Sequence, residues 1–379
     1  MIYFDNSATT KPLPEVAKLV SEELTSDELW GNPGSLHELG TKAYKAYINA
    51  KEETASCLGI REQELVFTSC ATESADTAIT GYLRRNRRSG RTVITTRTEH
   101  RATLSVMERI ADEGINVIYI DVDKNGRPDL DQLANAITGD TALLCFTYVN
   151  NETGAILPIE EIISIRDSKN RSTAIYLDIV QAAGKLRIDL HKLGVEMASF
   201  SAHKIHGLKG CGGLYIKNGV KIDPYILGGG QQNGMRSGTE SILLARSTAL
   251  AMKLSQESME DHYKACQEIN SYLRTELSKR NATILSPEDA LPYVLNVSFE
   301  GFESETMLHC LERYNIYVST ISACSSKTKK ISYVLEAMGV DRKLATNAVR
   351  LSFSRFNTME EAKEFIVKVD EIYQLFALR

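Results

Sequence analysis

No apolar run in this 379-residue chain approaches the roughly 18 residues needed to cross a bilayer, so nothing in it reads as a membrane span. The opening MIYFDNSATT lacks a basic segment followed by an apolar core; no secretory signal is expected, and the cytoplasm is the expected compartment. Cysteines are poorly placed for cross-linking. The seven of them, Cys57, Cys70, Cys145, Cys211, Cys266, Cys310 and Cys324, are odd in number, scattered and without a CxxC pair, which fits reduced thiols better than a disulfide framework or a zinc site. Nor is there an excess of positive charge: 44 basic against 49 acidic residues leave −5, with no electrostatic footprint for nucleic acid or anionic lipid. Repeats, heptads and low-complexity stretches are missing too, and KTKK at 327–330 reads as a solvated basic loop.

What is present is an average globular composition, 43% hydrophobic and 25% charged, on a chain too long for one ordinary core. From about residue 60 to 217, short apolar runs rich in β-branched residues alternate with amphipathic stretches, the rhythm of βαβ units around a largely parallel sheet. The expected strands are ELVFTS, TVITT, NVIYI, ALLCFTYV, AIYL, MASFS and GGLYI, with helical spacing in ESADTAITGYLRRN and IEEIISIRDSKN. A mostly helical stretch from Ser241 to about Lys279 leads into an α+β region. There PYVLNVSFE, NIYVST and VRLSFS read as strands, and SETMLHCLERY, YVLEAMG and MEEAKEFIVKVDEIYQLFAL as helices.

Within this frame, Asp178 ends the apolar run YLD, Gln181 follows, and Lys204 stands 26 positions after Asp178 in SFSAHKIHG. A lysine amine condenses with an aldehyde as a Schiff base, and a carboxylate can hold a protonated pyridine nitrogen, so the pair suits pyridoxal phosphate chemistry. Taken alone it is weak, because lysines are mostly surface charges and an aspartate after a strand often caps the next helix. Neighbouring motifs strengthen it. In FTSCATES a strand runs into a helix starting near Thr72, leaving backbone N–H groups and the Thr72 hydroxyl for a phosphate, with Ser201 and His203 as further donors. The competing role there is N-capping by Thr72 or Ser74.

His100, after TVITT, falls at the carboxyl edge of the sheet, where it can stack on a ring and assist proton transfer or stand as a solvated loop histidine. Asn151 in NNETG can donate to a ring hydroxyl or a substrate carboxylate, or serve as a turn residue. Arg350 in VRLSFSRF is the candidate clamp for a substrate carboxylate, with Arg355 as its rival.

Taken together, YFDNSATT, GNPGSLH, FTSCATES, TEH, VNNETG, the Asp178 and Gln181 pair, SFSAHKIHG, GGGQQNGMRSGT, SACSS and VRLSFSRF resemble, in order and nearly end to end, the cysteine desulfurases of the NifS/IscS kind. These are class V aminotransferases of the fold-type I pyridoxal phosphate group. The resemblance implies an α/β fold, with a large domain at 15–260 whose mostly parallel mixed sheet lies between helices, and a smaller α+β domain made of 1–14 and 261–379. It implies that Lys204 carries the cofactor and moves the α-proton, that Asp178 holds the pyridine nitrogen, and that Gln181 bonds the ring oxygen. His100 would stack on the ring, Thr72, Ser201 and His203 would bind phosphate with Thr239 of a partner subunit, and Ala71 would also belong to the cofactor site. Asn151 and Arg350 would orient the carboxylate of L-cysteine, and a homodimer is the expected minimum assembly.

The same resemblance makes Cys324 the nucleophile that takes sulfur from the substrate, leaving alanine and a persulfide for an acceptor protein of iron–sulfur cluster assembly or thiolation. Other readings are a selenocysteine lyase or another β-eliminating or transaminating relative, and a non-catalytic scaffold. Departures from the family pattern fall where it usually has glycine, at Cys70, Ala202, Ile321 and Ser354, and at Gln232 and Asn233, where a Glu/Arg or similar pair is usual. Ile321, three positions before Cys324, is expected to stiffen that loop. KTKKISYVL replaces the common SLEPSYVL on a surface where an acceptor is expected to dock.

Overall fold

The computed structural model describes residues 1–320 and 331–377. The chain opens with a short strand, β1 (Ile2–Tyr3), and two helices, Pro14–Leu24 and Glu38–Cys57. Neither helix is among the expected elements. Pro14 stands in the first turn, where its missing N–H costs nothing, and the second helix is capped by His37, whose Nδ1 accepts from Gly40 N–H at 3.2 Å.

The seven apolar runs between residues 60 and 217 all form strands: β2 (Leu65–Thr68), β3 (Thr92–Thr96), β4 (Asn116–Ile120), β5 (Thr141–Thr147), β6 (Ala174–Asp178), β7 (Met197–Ser201) and β8 (Gly212–Ile216). They make one sheet in the order β2-β8-β7-β6-β5-β3-β4. Neighbours from β7 through to β4 pair in parallel, while β8 runs antiparallel to both β7 and β2, so the sheet is mixed.

Alternate residues of the central strands enter different cores: Ile175 and Leu177 join one apolar cluster, Ala174 and Tyr176 the other. A sheet covered on both faces has no polar face, which is why its strands read as continuous hydrophobic runs. Edge strand β2 is held by Gln232, whose side-chain amide accepts from Phe67 N–H and donates to Phe67 carbonyl, both at 2.7 Å, in place of a further strand.

Two long helices, Ile242–Glu257 and Met259–Leu277, lead to a second sheet of β9 (Ala282–Ile284), β10 (Val294–Phe299), β12 (Ser319–Thr320) and β13 (Ala348–Ser352), in the order β12-β13-β10-β9 and wholly antiparallel. A short strand, β11 (Ile316–Tyr317), pairs in parallel with β1, and Asp5 bridges to Ser352. The first residues of the chain are thus bound to the C-terminal region. The terminal helix Met359–Ala377 packs on Met259–Leu277. Among the described residues no helix is long and apolar enough to cross a membrane.

Candidate active site

Parallel strands β3, β5, β6 and β7 deliver their carboxyl ends to one edge of the sheet, where open α/β folds take ligands. His100 follows β3, Asn151 follows β5, Asp178 ends β6, and Ser201 ends β7 just before Lys204. Register keeps them close: Thr147 pairs with Asp178, and Asp178 with Ser199.

Lys204 sits in a single 3-10 turn, Ala202–Lys204, and its Nζ donates to the carbonyls of Ser7 at 2.5 Å and Ala8 at 2.8 Å. Its amine is therefore held by backbone rather than by solvent. Burial and the Arg350 guanidinium lower its pKa to about 8 against the opposing pull of Asp5 and Asp178, so a useful fraction is the nucleophilic free base near neutrality. Asp178, 4% exposed, accepts from Val180 N–H at 2.9 Å through Oδ1. Burial raises its pKa, and His100, the Val180 N–H and Lys204 oppose that rise. A buried carboxylate in this position has much to gain from a cationic partner such as a protonated ring nitrogen.

His100 caps the helix Arg101–Asp112, its Nδ1 accepting from Ala102 N–H at 3.1 Å. That bond leaves Nε2 as the protonated nitrogen of the neutral ring. Its pKa is lowered, by desolvation first, with Asp178 opposing; because the ring still reaches solvent, the desolvation is partial. His203 accepts from or donates to Thr9 Oγ1 at 3.1 Å, and burial beside Lys204 lowers its pKa to about 4, so it is a neutral donor rather than a cation.

The helix after β2 spans Ala71–Arg85 and is capped by Cys70 without a side-chain bond, so neither Thr72 nor Ser74 is its cap. Ser74 instead pairs with the Thr68 hydroxyl at 2.8 Å. Ala71 N–H donates to Ser201 Oγ at 2.8 Å, tying this helix start to the lysine turn, while the N–H groups of Thr72 and Glu73 find no acceptor among the described residues. Thr72 is exposed, and so is Thr239.

Arg350 is 7% exposed and already engaged: Nη2 with Asp5 Oδ1 at 2.9 Å, and Nη1 with the Asn151 carbonyl at 3.0 Å. Its Nε and the Asn151 side-chain oxygen are buried without partners among the described residues. The orphaned Nε–H marks a place where an anionic ligand completes the hydrogen bonding, and the Asn151 amide can join it by presenting its NH₂. Arg355, the rival clamp, turns away to His262 Nε2 at 3.2 Å and Ser258 Oγ at 2.6 Å.

Gln181 donates through Nε2 to the Ser7 carbonyl at 3.1 Å and accepts at Oε1 from Lys185 Nζ at 2.8 Å. Three groups of the site were assigned no role in the sequence: Asp5, Lys185 and Glu99. Asp5 and Glu99 lie within the motifs YFDNSATT and TEH, Lys185 four positions after Gln181, and only burial or a distant partner marks each out. Among the described residues no group of three His, Cys, Asp or Glu is arranged to hold a metal ion.

The glycine departures carry no backbone strain at Cys70, Ala202 or Ser354, none of which has a positive φ; Cys70 is extended at −175°. Asn233 and Gln232 do adopt φ of 58° and 51°. Cys324, Ile321 and the KTKK patch lie outside the described residues.

The Aminotransferase class-V family model matches residues 2–365, and the chain belongs to that family. Its members generally depend on pyridoxal phosphate. A NifS/IcsS protein homolog of Lactobacillus delbrueckii is 41% identical over 385 residues, covering 100% of this chain and 98% of that protein. A cysteine desulfurase IscS of Methanosarcina thermophila is 38% identical, covering 98% and 92%. Among solved structures, a NifS-like protein superposes with a TM-score of 0.94 at 39% identity over 99% of both chains. Within its family the chain is thus one of the NifS/IscS kind, with the fold-type I architecture.

Proposed function

We propose that this chain is a pyridoxal phosphate-dependent cysteine desulfurase that moves the sulfur of L-cysteine onto Cys324 as a persulfide, releases alanine, and hands the sulfur to an acceptor protein. The observation that carries this reading is the Lys204 amine. It is held by two backbone carbonyls, its pKa is lowered to about 8, and it lies within charge range of buried Asp178 and of Arg350. The residues fit the cofactor: the N–H groups of Thr72 and Glu73, without an acceptor among the described residues, with the side chains of Thr72, Ser201 and His203, for its phosphate; Ala71 beside them at the cofactor site; Asp178 for its ring nitrogen; Gln181 for its ring oxygen; His100 for its face.

When bound, pyridoxal phosphate supplies an electron sink that lets the substrate α-carbon lose its proton. Lys204 holds the cofactor and then takes and returns that proton. Arg350 and Asn151 bind the substrate carboxylate, which competes with Asp5 for the guanidinium. His100, whose Nε2 carries the ring proton, stands ready to move a proton at the cleft mouth. The Cys324 thiolate attacks the substrate sulfur; the carbon–sulfur electron pair stays on carbon, which is protonated to give alanine, and the sulfur remains on the enzyme as a persulfide.

The reading extends to a cytoplasmic homodimer in which exposed Thr239 of each subunit serves the other's phosphate site, with a large domain at 15–260 and a small one made of 1–14 and 261–379. The acceptor is an iron–sulfur scaffold or a thiolation enzyme. The test is to incubate the cofactor-loaded protein with L-cysteine, measure alanine, and locate added sulfur by mass spectrometry. One extra sulfur atom on Cys324, and loss of alanine release in Cys324→Ala, is the expected result. Alanine release that survives that substitution would point to direct elimination instead.

A further inference from the structure

Lys185 is a buried lysine that the reaction above leaves unused. It follows Gly184, which has a φ of +68°, and it is only 8% exposed. Its Nζ donates to Gln181 Oε1 at 2.8 Å and lies 5.8 Å from the Tyr293 ring centre, and among the described residues no carboxylate forms an ion pair with it. With Lys204 it lines a cavity of about 30 Å³, which His206, His262, Tyr293 and Arg355 also face. Cys266, on the helix Met259–Leu277, and Arg350 complete the titratable and charged groups around it.

Burying an ammonium without a counter-ion is costly. Burial and the neighbouring Lys204 and Arg350 charges lower the Lys185 pKa to about 7, and burial pushes the nearby Cys266 thiol up to about 12, so it is neutral and supplies no counter-ion. A group kept at that expense, and bonded to the amide proposed above for the cofactor's ring oxygen, calls for a role.

The Gln181 amide lies between two partners of opposite kind. The Ser7 carbonyl can only accept, and a lysine ammonium can only donate, so the amide oxygen must face Lys185 and the NH₂ must face Ser7. After losing one proton Lys185 keeps two N–H donors for Gln181 Oε1, and the Ser7 carbonyl still admits only the NH₂ end, so the orientation persists across neutral pH.

We propose that Lys185 is a positioning residue: by donating to Gln181 Oε1 it fixes which end of that amide faces the Lys204 cleft, so that the ring oxygen of the cofactor meets an N–H donor and not a carbonyl. This rests on the cofactor assignment proposed above. A carbonyl in that place would set lone pair against lone pair. A donor stabilises the ring oxygen as its anion, which lowers the pH at which the lysine-bound cofactor gives up its proton.

The experiment strips the full-length protein of cofactor and reloads it with pyridoxal phosphate, for the wild type, Lys185→Met, Lys185→Leu, Gln181→Ala and the Lys185→Met/Gln181→Ala double variant. The readouts are cofactor affinity, the pH midpoint of the long-wavelength absorbance, and the melting temperature of the stripped chain. Expected are about tenfold weaker binding and a midpoint roughly one pH unit higher for either Lys185 variant, the scale of one charge-assisted hydrogen bond. Gln181→Ala should do the same, and the double variant should be no worse, since Lys185 acts through Gln181.

An unmoved midpoint in a folded Lys185 variant, or losses that add in the double variant, would overturn the inference while leaving the cofactor assignment intact. A wild type that gains no such absorbance would overturn both. Melting that changes while midpoint and affinity do not would assign Lys185 a packing role only and so reject the proposal.

Discussion

Arg350 Nη2 stands 2.9 Å from Asp5 Oδ1, an ion pair between residues 345 positions apart that joins the loop after β1 to strand β13. The guanidinium is nearly buried, and its other hydrogen bond among the described residues is to the carbonyl of Asn151. Any substrate carboxylate reaching this fork must contend with Asp5. Arg350→Met is therefore expected to raise KM for cysteine by roughly 10- to 100-fold, the scale of a lost charge-assisted pair. Asp5→Asn is expected to lower KM a few-fold while reducing stability, because Arg350 loses its buried counter-ion. Steady-state kinetics and urea denaturation check both, and a higher KM in Asp5→Asn would refute the competition.

The Lys204 amine offers a pH test. With its pKa lowered from 10.5 to about 8, the rate of addition to pyridoxal phosphate should climb through about pH 8 and then level, whereas an ordinary lysine would keep climbing to about 10.5. Arg350 lowers this pKa and Asp5 raises it, so Arg350→Met should move the midpoint up and Asp5→Asn should move it down. Stopped-flow absorbance over a pH series measures both shifts.

Glu99 supplies a stability test. It is 2% exposed, accepts from Thr96 Oγ1 at 2.6 Å, and has its pKa raised from 4.5 to about 7, by burial above all. A carboxyl whose folded pKa is raised adds stability that is complete below about 4.5 and is lost as pH rises through about 7. Glu99→Gln should remove that loss, making the variant more stable than the wild type above about pH 7 by up to about 3 kcal/mol, with the advantage vanishing at low pH. Chemical denaturation at several pH values reads it directly.

Ser332 Oγ donates to Glu152 Oε2 at 2.5 Å, and Ser332 also caps the helix Tyr333–Ala337 by accepting from Leu335 N–H. Tyr333 OH reaches the Glu99 carbonyl at 3.0 Å, and Arg101 lies 4.3 Å from the Tyr333 ring centre, so this segment is fastened to the loops carrying His100 and Asn151. Ser332→Ala should cost about 2 to 4 kcal/mol, from a lost cap and a buried carboxyl left without its donor. Ser332→Thr, which keeps the hydroxyl, should recover most of it, as thermal melting would record.

Much of this was legible in the sequence. The seven strands of the large sheet were, because burial on both faces makes each a short unbroken apolar run. His100, Asn151, Asp178 and Lys204 were, because they directly follow such runs and so fall at one edge. The helices Pro14–Leu24 and Glu38–Cys57 were not anticipated; Gly40 and Thr41 near the start of the second, and its many charges, blur the apolar stripe. Cys324 was singled out through the SACSS motif and lies outside the described residues.

Local patterning settled where the strands lie and which polar residues end them, since alternation, run length and turn chemistry act over a few positions. Long-range folding alone decided that Arg350 points at Asp5 while Arg355 turns to His262 and Ser258, that Lys204 is gripped by the carbonyls of Ser7 and Ala8, and that Lys185 is sealed against Gln181. Burial and charge proximity are properties of packed three-dimensional neighbours. The same lysine is a solvated ion on a surface and a tuned amine in a closed cleft, and the one-dimensional order of residues does not record which neighbours close around it.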